Sequence, residues 1–480
     1  MTQQATTAQT VCANEEATRN YGLRAGVLGP VETLAQSVSA VAPSTSPSLT
    51  IPLVFALAGN ATWFVYLLAT AATFLVGFCV SRFARLSASP GSLYTYTANT
   101  LPAVFSVTAA WGLLLAYLAT GASVAGGAVY YAGVLLQQFF HWAPPAIPTL
   151  AVVCGVAGWI AHRDIKLSAE LMLWIEVASV SLILTVLLAL VYHFGLQFDR
   201  DQFTLKGAHF LSLGPALVLA MFSFVGFESA TTLGVEARNP LRTIPRAVLQ
   251  CALMIGGFFM LCAYSEVLGF RGESGTLSET TSPLHILAAR AGISPLGVAI
   301  DLGAFISMCA CVLACTTAAA RVLMRMAHGR LLPPLFERTS PRHGTPTAAV
   351  VVSAGLMLAG TTAMALRNVT GSDMYDLFGS LSVFGFLTAY ALVAVALPFA
   401  RSARGQHSYA VAVTSVVTVV VLILITIFDL RSSADPTHAR IPYVYLVYIA
   451  GGFGVYLLRR RQTALTADQA VTAESRSPAE

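Results

Sequence analysis

Long apolar runs recur along the whole chain, separated by short polar stretches. Each is close to the roughly 20 residues that a helix needs to cross a bilayer. The alternation predicts twelve spans, over 32–57, 61–81, 101–137, 147–161, 168–192, 211–235, 247–269, 296–320, 347–366, 375–399, 409–429 and 441–458. The third is too long for one crossing and is expected to include a loop or an interfacial part. The polar N-terminal stretch up to Gly26 lacks the apolar centre of a signal peptide and reads as a mobile tail. The segment from Arg459 onward is rich in small polar residues and reads as unstructured.

Two spans interrupt their own pattern. Span 1 carries Pro43 and Pro47 with Ser44, Thr45 and Ser46 between them. Proline removes a backbone donor and clashes with the preceding turn, which places a break near Pro47. Span 6 is interrupted at Gly226, about 180 residues later, and Glu228 follows in an otherwise apolar run. Freed backbone groups are tolerated at membrane depth only where they line a cavity or are buried in protein. Polar stretches after span 2 (88–102) and after span 7 (278–292) correspond as well. Spans 1–5 and 6–10 therefore read as two halves of opposite orientation, and paired broken helices in such halves point to a central binding site. Two simple kinks are the competing reading.

Composition fits this layout, with 56% hydrophobic and 10% charged residues in 480, against about 25% charged in a typical soluble domain. Of the 27 basic residues, 20 fall on the side of the N-terminus, which predicts that both termini are cytoplasmic in a multi-pass protein of the cytoplasmic membrane. Most of the 8 cysteines lie in apolar spans and behave as small hydrophobes, Cys309, Cys311 and Cys315 included. The 9 histidines sit in loops or at span ends, which argues against a histidine relay through the membrane. No phosphate-cradling loop, H-E-x-x-H or G-x-S-x-G occurs, so neither ATP hydrolysis nor an enzyme is expected. A channel or sensor is the remaining alternative class, and no nucleic-acid partner is expected.

The span 6 stretch from Phe222 to Val248 resembles the signature of the amino acid–polyamine–organocation superfamily, through Gly226, Phe227, Glu228, Glu236, Asn239, Pro240, Arg242, Ile244 and Pro245. The segment from Ala88 to Ala98 resembles that family's loop after span 2. The segment after span 8 resembles its counterpart through Arg321, Gly329, Leu332, Pro333, Gly344 and Pro346. The resemblance covers residues 28–460 and implies an all-α fold of about twelve spans, with a five-plus-five inverted repeat and spans 1 and 6 discontinuous. It divides the chain into an N-terminal tail (1–30), a transport core (31–400), spans 11–12 (401–460) and a C-terminal tail (461–480). It also implies a secondary transporter of amino acids, importing by alternating access, with polyamines or other small amines and exchange as alternatives. Where that family has a glycine-rich break in span 1, this chain has Ala42–Pro43–Ser44–Thr45–Ser46–Pro47, so hydroxyls are expected to replace backbone donors.

Candidate substrate-binding residues are Ala42, Ser44, Thr45, Ser46, Tyr117, Phe222, Gly226 and Phe227. Phe222 stands where the family has an aromatic covering the substrate, or else packs. Phe227 lines the break or packs on span 1. Glu228 is either a proton site or a hydrogen-bonded staple for the broken helix, and Glu176 in span 5 either carries a proton or neutralises an arginine. These two are read as the only carboxyls well inside the spans. Ser179 stands where some family members carry a lysine, so proton coupling is expected, with no cofactor. The alternative is sodium held by span 1 carbonyls with Thr316 and Thr317, whose hydroxyls otherwise bond their own backbone. No basic residue is expected near the pocket, which favours neutral or cationic substrates.

Overall fold

The structure is a computed structural model that describes residues 21–163, 165–194, 198–208, 210–271, 277–280, 282–432 and 438–474. Ten helices in it are long and apolar enough to cross a membrane. The first of these, Pro30–Ala84, holds spans 1 and 2, and the shorter apolar helix Ser212–Phe222 opens span 6, so the twelve-span layout holds. No sheet forms among the described residues; one isolated bridge joins Leu28 to Ala237.

The two halves match in helix length. Spans 3 and 8 (Ala103–Phe140 and Ser294–His328) have 38 and 35 residues. Spans 4 and 9 (Ala146–Arg163 and Thr347–Ala365) have 18 and 19. Spans 5 and 10 (Ile165–Phe194 and Gly371–Ser402) have 30 and 32. The first pieces of spans 1 and 6 (Pro30–Val41 and Phe210–Phe222) have 12 and 13. Short helices, Ser92–Ala98 and Pro283–Arg290, follow span 2 (Thr62–Ala84) and span 7 (Pro240–Gly269). Packing repeats as well: span 3 lies on span 10, span 8 lies on span 5, and spans 2 and 7 pair. These correspondences are those of a repeated five-helix unit.

Span 3 corrects an expectation. It contains no loop, but runs as one helix of 38 residues, about 57 Å at 1.5 Å per residue. Its small residues make that length possible at the centre of the molecule. Span 3 and span 10 meet so closely that a Cβ on Gly385 would lie 2.4 Å from the carbonyl oxygen of Gly112. Only glycine permits that approach, and Tyr117 and Tyr390 each lie five residues further along their helices.

Both chain ends also differ from the sequence reading. Residues 1–20 lie outside the described residues, but Tyr21, Leu23 and Leu28 are buried. Leu28 N donates to Glu236 O (2.9 Å), Arg238 N donates to Leu28 O (2.8 Å), and Arg24 Nη2 donates to Arg342 O (3.0 Å). The stretch from Tyr21 is thus docked rather than loose. At the other end, the helix of span 12 continues from Ile441 to Glu474, past the basic run, where irregular chain was expected. Good helix formers among its small polar residues sustain it.

At the end of the molecule opposite Leu28, three connections are tied by one arginine. Arg271, just past span 7, donates from Nε to Asp199 Oδ2 (2.6 Å) and from Nη2 to Asn60 Oδ1 (2.7 Å). Gln202 Nε2 also donates to Asp199 (3.0 Å). Partial burial pushes the Asp199 carboxyl up, but the Arg271 and Gln202 hydrogen bonds outweigh it and hold the carboxyl below its ordinary value. A depressed carboxyl stabilises the fold above its unfolded pKa and loses that contribution as pH falls through the folded one. Arg271→Ala should therefore lower the thermal midpoint at neutral pH, by about 1 kcal/mol of stability. The gap to wild type should close as the pH drops below about 4. Thermal unfolding in detergent across pH checks this.

Candidate functional site

Span 1 breaks at Ala42, not at Pro47. Ala42 caps the first helix in the left-handed conformation (φ 51°), and its N–H donates to Val38 O and Ser39 O. Pro43, directly after, cannot continue the ladder, so the chain turns before helix resumes. Pro47 lies in a π-helical turn, Ser46–Thr50, that leads into Ile51–Ala58. The wider turn accommodates a proline without ending the helix.

Span 6 leaves its helix at Phe222, passes through successive turns, and resumes only as the 3-10 segment Ser229–Leu233. Gly226 takes φ +90°, and a Cβ there would sit 2.9 Å from Ala40 O. The two breaks thus meet, backbone against backbone, at Gly226 and Ala40. Beyond it the chains stay joined: Ser229 Oγ donates to Gln36 O (3.0 Å), and Ala230 N donates to Ser37 Oγ (3.0 Å).

The hydroxyls of Ser44 and Thr45, just after the span 1 break, are buried without a protein partner, and so is that of Thr317 on span 8. Buried polar groups almost always have partners, so these hydroxyls stand out as groups the chain itself does not satisfy. Ser46 is buried beside them. Phe222, the last residue before the span 6 break, sets its ring edge-on to Tyr375 of span 10 at 5.3 Å. Tyr375 is anchored by Thr50 (Oγ1···Oη 2.8 Å) and by Ser123, which donates to its carbonyl. Phe227 packs against Gly77 of span 2 and lies edge-on to Tyr390 of span 10 at 5.7 Å.

Glu228 is fully buried and held from two sides. Tyr117 of span 3 donates to Oε1 (2.8 Å), and Tyr390 of span 10 donates to Oε2. Tyr117 therefore serves the carboxyl at the break. Glu176 accepts from Ser307 of span 8 on both oxygens (3.1 and 2.9 Å) and meets no arginine. Thr316 spends its hydroxyl on its own helix (Val312 O, 2.7 Å), while Thr317 does not. Two carbonyls between spans 1 and 8 have protein donors: Cys311 Sγ donates to Ala40 O (3.2 Å) and Gln36 Nε2 donates to Ala314 O (3.0 Å). Ser179 donates to Gly303 O (2.8 Å). No group of three or more metal-ligating side chains occurs among the described residues.

Several features escaped the sequence reading. Glu176 and Glu228 are not the only deeply buried carboxyls: Glu236, Glu266 and Asp301 are buried too. Arg321 is a basic residue inside span 8, but Glu236 grips it, with Nε to Oε2 at 2.8 Å and Nη2 to Oε1. Its charge is thus spent, and Nη1 caps Thr317 O (2.9 Å). Both residues stood in the quoted motifs, and the signal was there: a carboxyl and a guanidinium in neighbouring apolar contexts seek each other. Tyr390 and Gln36 gave no comparable signal.

A helical fold of ten or more spans, with two interrupted helices that meet at Gly226 and Ala40, has the architecture of a membrane carrier. The chain matches the amino acid permease family model over residues 47–451 and belongs to that family. It is 23% identical to the branched-chain amino acid permease BcaP of Bacillus subtilis over 429 residues, covering 84% of this chain and 87% of that one. It is 26% identical to the low-affinity putrescine importer PlaP of Escherichia coli over 336 residues, covering 67% of this chain and 71% of that one. Its fold matches a manganese transporter variant from Eremococcus coleocola with a TM-score of 0.58 at 13% identity, covering 90% of this chain and 94% of that one.

Two outcomes follow from this geometry. Gly226→Ala forces a Cβ into the Ala40 carbonyl at a positive φ, which should cost about 1–3 kcal/mol and abolish transport. Thermal unfolding together with uptake measures both. Tyr390→Phe removes one donor from a buried carboxyl, which should cost about 1–3 kcal/mol of stability, seen in the same thermal assay.

Proposed function

We propose that this carrier imports a neutral or cationic amino acid across the cytoplasmic membrane by alternating access, driven by protons, with both termini on the cytoplasmic side. The observation that carries the reading is the pair of unpartnered buried hydroxyls, Ser44 and Thr45, directly after the span 1 break, with that of Thr317 on the neighbouring span 8. Hydroxyls both donate and accept, so they suit the carboxylate and the amine of an amino acid. The one buried guanidinium named near them is neutralised by Glu236, which leaves an acidic side chain without a partner. Phe222 closes the site on the span 10 side, and the core comprises residues 31–400 with spans 11–12 outside it. A small diamine is the second reading, favoured by the likeness to the putrescine importer.

Proton rather than sodium coupling is supported by the donors already placed on the span 1 and span 8 carbonyls. A cation between these spans would have to displace the Cys311 thiol and the Gln36 amide. Glu228 is tied to spans 3 and 10 through its two tyrosines. Movement of span 6 against those spans strips the carboxylate of its donors, and a proton then replaces them.

Thr45→Val should weaken substrate binding with little change in thermal midpoint. Equal loss of both would mean that Thr45 only shapes the kink. In proteoliposomes, a pH gradient should drive accumulation of radiolabelled L-leucine or L-lysine, and Glu228→Gln should lose that accumulation. Accumulation on a sodium gradient alone, or by the glutamine variant on a pH gradient, would contradict the coupling.

A further inference from the structure

Glu266 has no place in the site described above, and among the described residues it is the one buried carboxyl with no hydrogen-bond partner. It is fully buried in the last turn of span 7, and neither carboxyl oxygen has a hydrogen-bond partner. The other buried carboxyls differ: Glu228 has two tyrosine donors, Glu176 has Ser307, Glu236 has Arg321 and Asp301 has His285. An ionised carboxylate with no donor and no counter-charge at such burial is far costlier than a neutral one, because only the charged form loses its full hydration.

Its surroundings give it no counter-ion. The titratable neighbours that act on it are Tyr66 of span 2, Tyr131 of span 3 and Cys262 one turn back on its own helix. All three are neutral hydroxyls or thiols. The short helix Pro283–Arg290 covers this end of span 7 and carries two basic residues, both engaged elsewhere. Arg290 donates to Gly269 O, and His285 Nδ1 pairs with Asp301 Oδ2 at 2.8 Å.

The position joins the rim to the breaks. Arg271, five residues on, is 39% exposed, so the chain reaches solvent just beyond the turn that carries Glu266. On the other side Tyr66, its neighbour, shares a hydrogen bond with Ser223 (3.1 Å), the first residue of the span 6 break.

We infer that Glu266 is a second proton-binding site of this carrier, which holds a proton while the Pro283–Arg290 helix is closed over it and exchanges it with water on that side when the helix lifts. The role in transport rests on the proton-coupled reading above; the bound proton does not. Loading converts the carboxylate to the carboxylic acid with one proton from water, and unloading reverses it.

Infrared difference spectroscopy of the purified protein in nanodiscs at neutral pH, wild type minus Glu266→Gln, tests the proton directly. A protonated-carboxyl carbonyl band present in wild type and lost in the variant is expected; spectra without that difference would overturn the inference. In proteoliposomes with radiolabelled L-leucine, L-lysine or putrescine, Glu266→Gln should keep counterflow and lose accumulation on a pH gradient. If Glu228→Gln loses accumulation but Glu266→Gln retains it, the transport role of Glu266 is refuted while the central reading stands. If no pH gradient drives the wild type, the coupling reading fails, and the infrared band still decides whether Glu266 carries a proton.

Discussion

The approach of Gly226 to the Ala40 carbonyl is the constraint on which the rest of the molecule depends. At 2.9 Å from a would-be Cβ, it admits no side chain, so two helices can be interrupted at one point and still pack. The interruption exposes backbone and hydroxyls at membrane depth, where water cannot satisfy them. Neighbouring spans then supply what is needed. Span 8 sends a thiol to Ala40 O, span 1 sends an amide to Ala314 O, and spans 3 and 10 send tyrosines to Glu228. The hydroxyls of Ser44 and Thr45 are left without a protein partner.

The two ends of the molecule hold this crossing differently. At the Leu28 end, the buried Glu236–Arg321 pair and the backbone bonds from Leu28 lock spans 1, 6 and 8 together. At the Arg271 end, the ion pair with Asp199 is partly exposed and accordingly weaker. A carrier that opens alternately must break one set of contacts while keeping the other. Of the two sets, the contacts at the Arg271 end are the more exposed in this conformation. Glu266 lies toward that same end of span 7, among Tyr66 of span 2, Tyr131 of span 3 and Cys262.

Much of this was legible in the sequence because lipid imposes long apolar runs, and twelve of them were readable. Where reading failed, local geometry decided. Ala42 bears no mark of a left-handed cap, so the break was placed at the proline four residues past Pro43 rather than just before it. Span 3 looked too long for one crossing, but its glycine and alanine content lets a 38-residue helix thread the centre. Glu228 was conspicuous as a charge in an apolar run; its partners Tyr117 and Tyr390 come from distant spans, and only Tyr117 was singled out. Glu266 was overlooked because it stands near the end of a run, where a carboxyl normally reaches water. The helix that covers it comes from a later part of the chain.

The central claim is that the crossing of the two breaks is where substrate sits. Alkylation of Ser44→Cys by a membrane-permeant maleimide, followed at that position by mass spectrometry, tests it most directly. The account predicts that the amino acid or diamine this carrier accumulates slows the alkylation in a saturable way, while the same compound leaves a cysteine introduced at Gln406, exposed in the loop before span 11, unaffected. An alkylation rate at position 44 that is the same with and without that compound would contradict it.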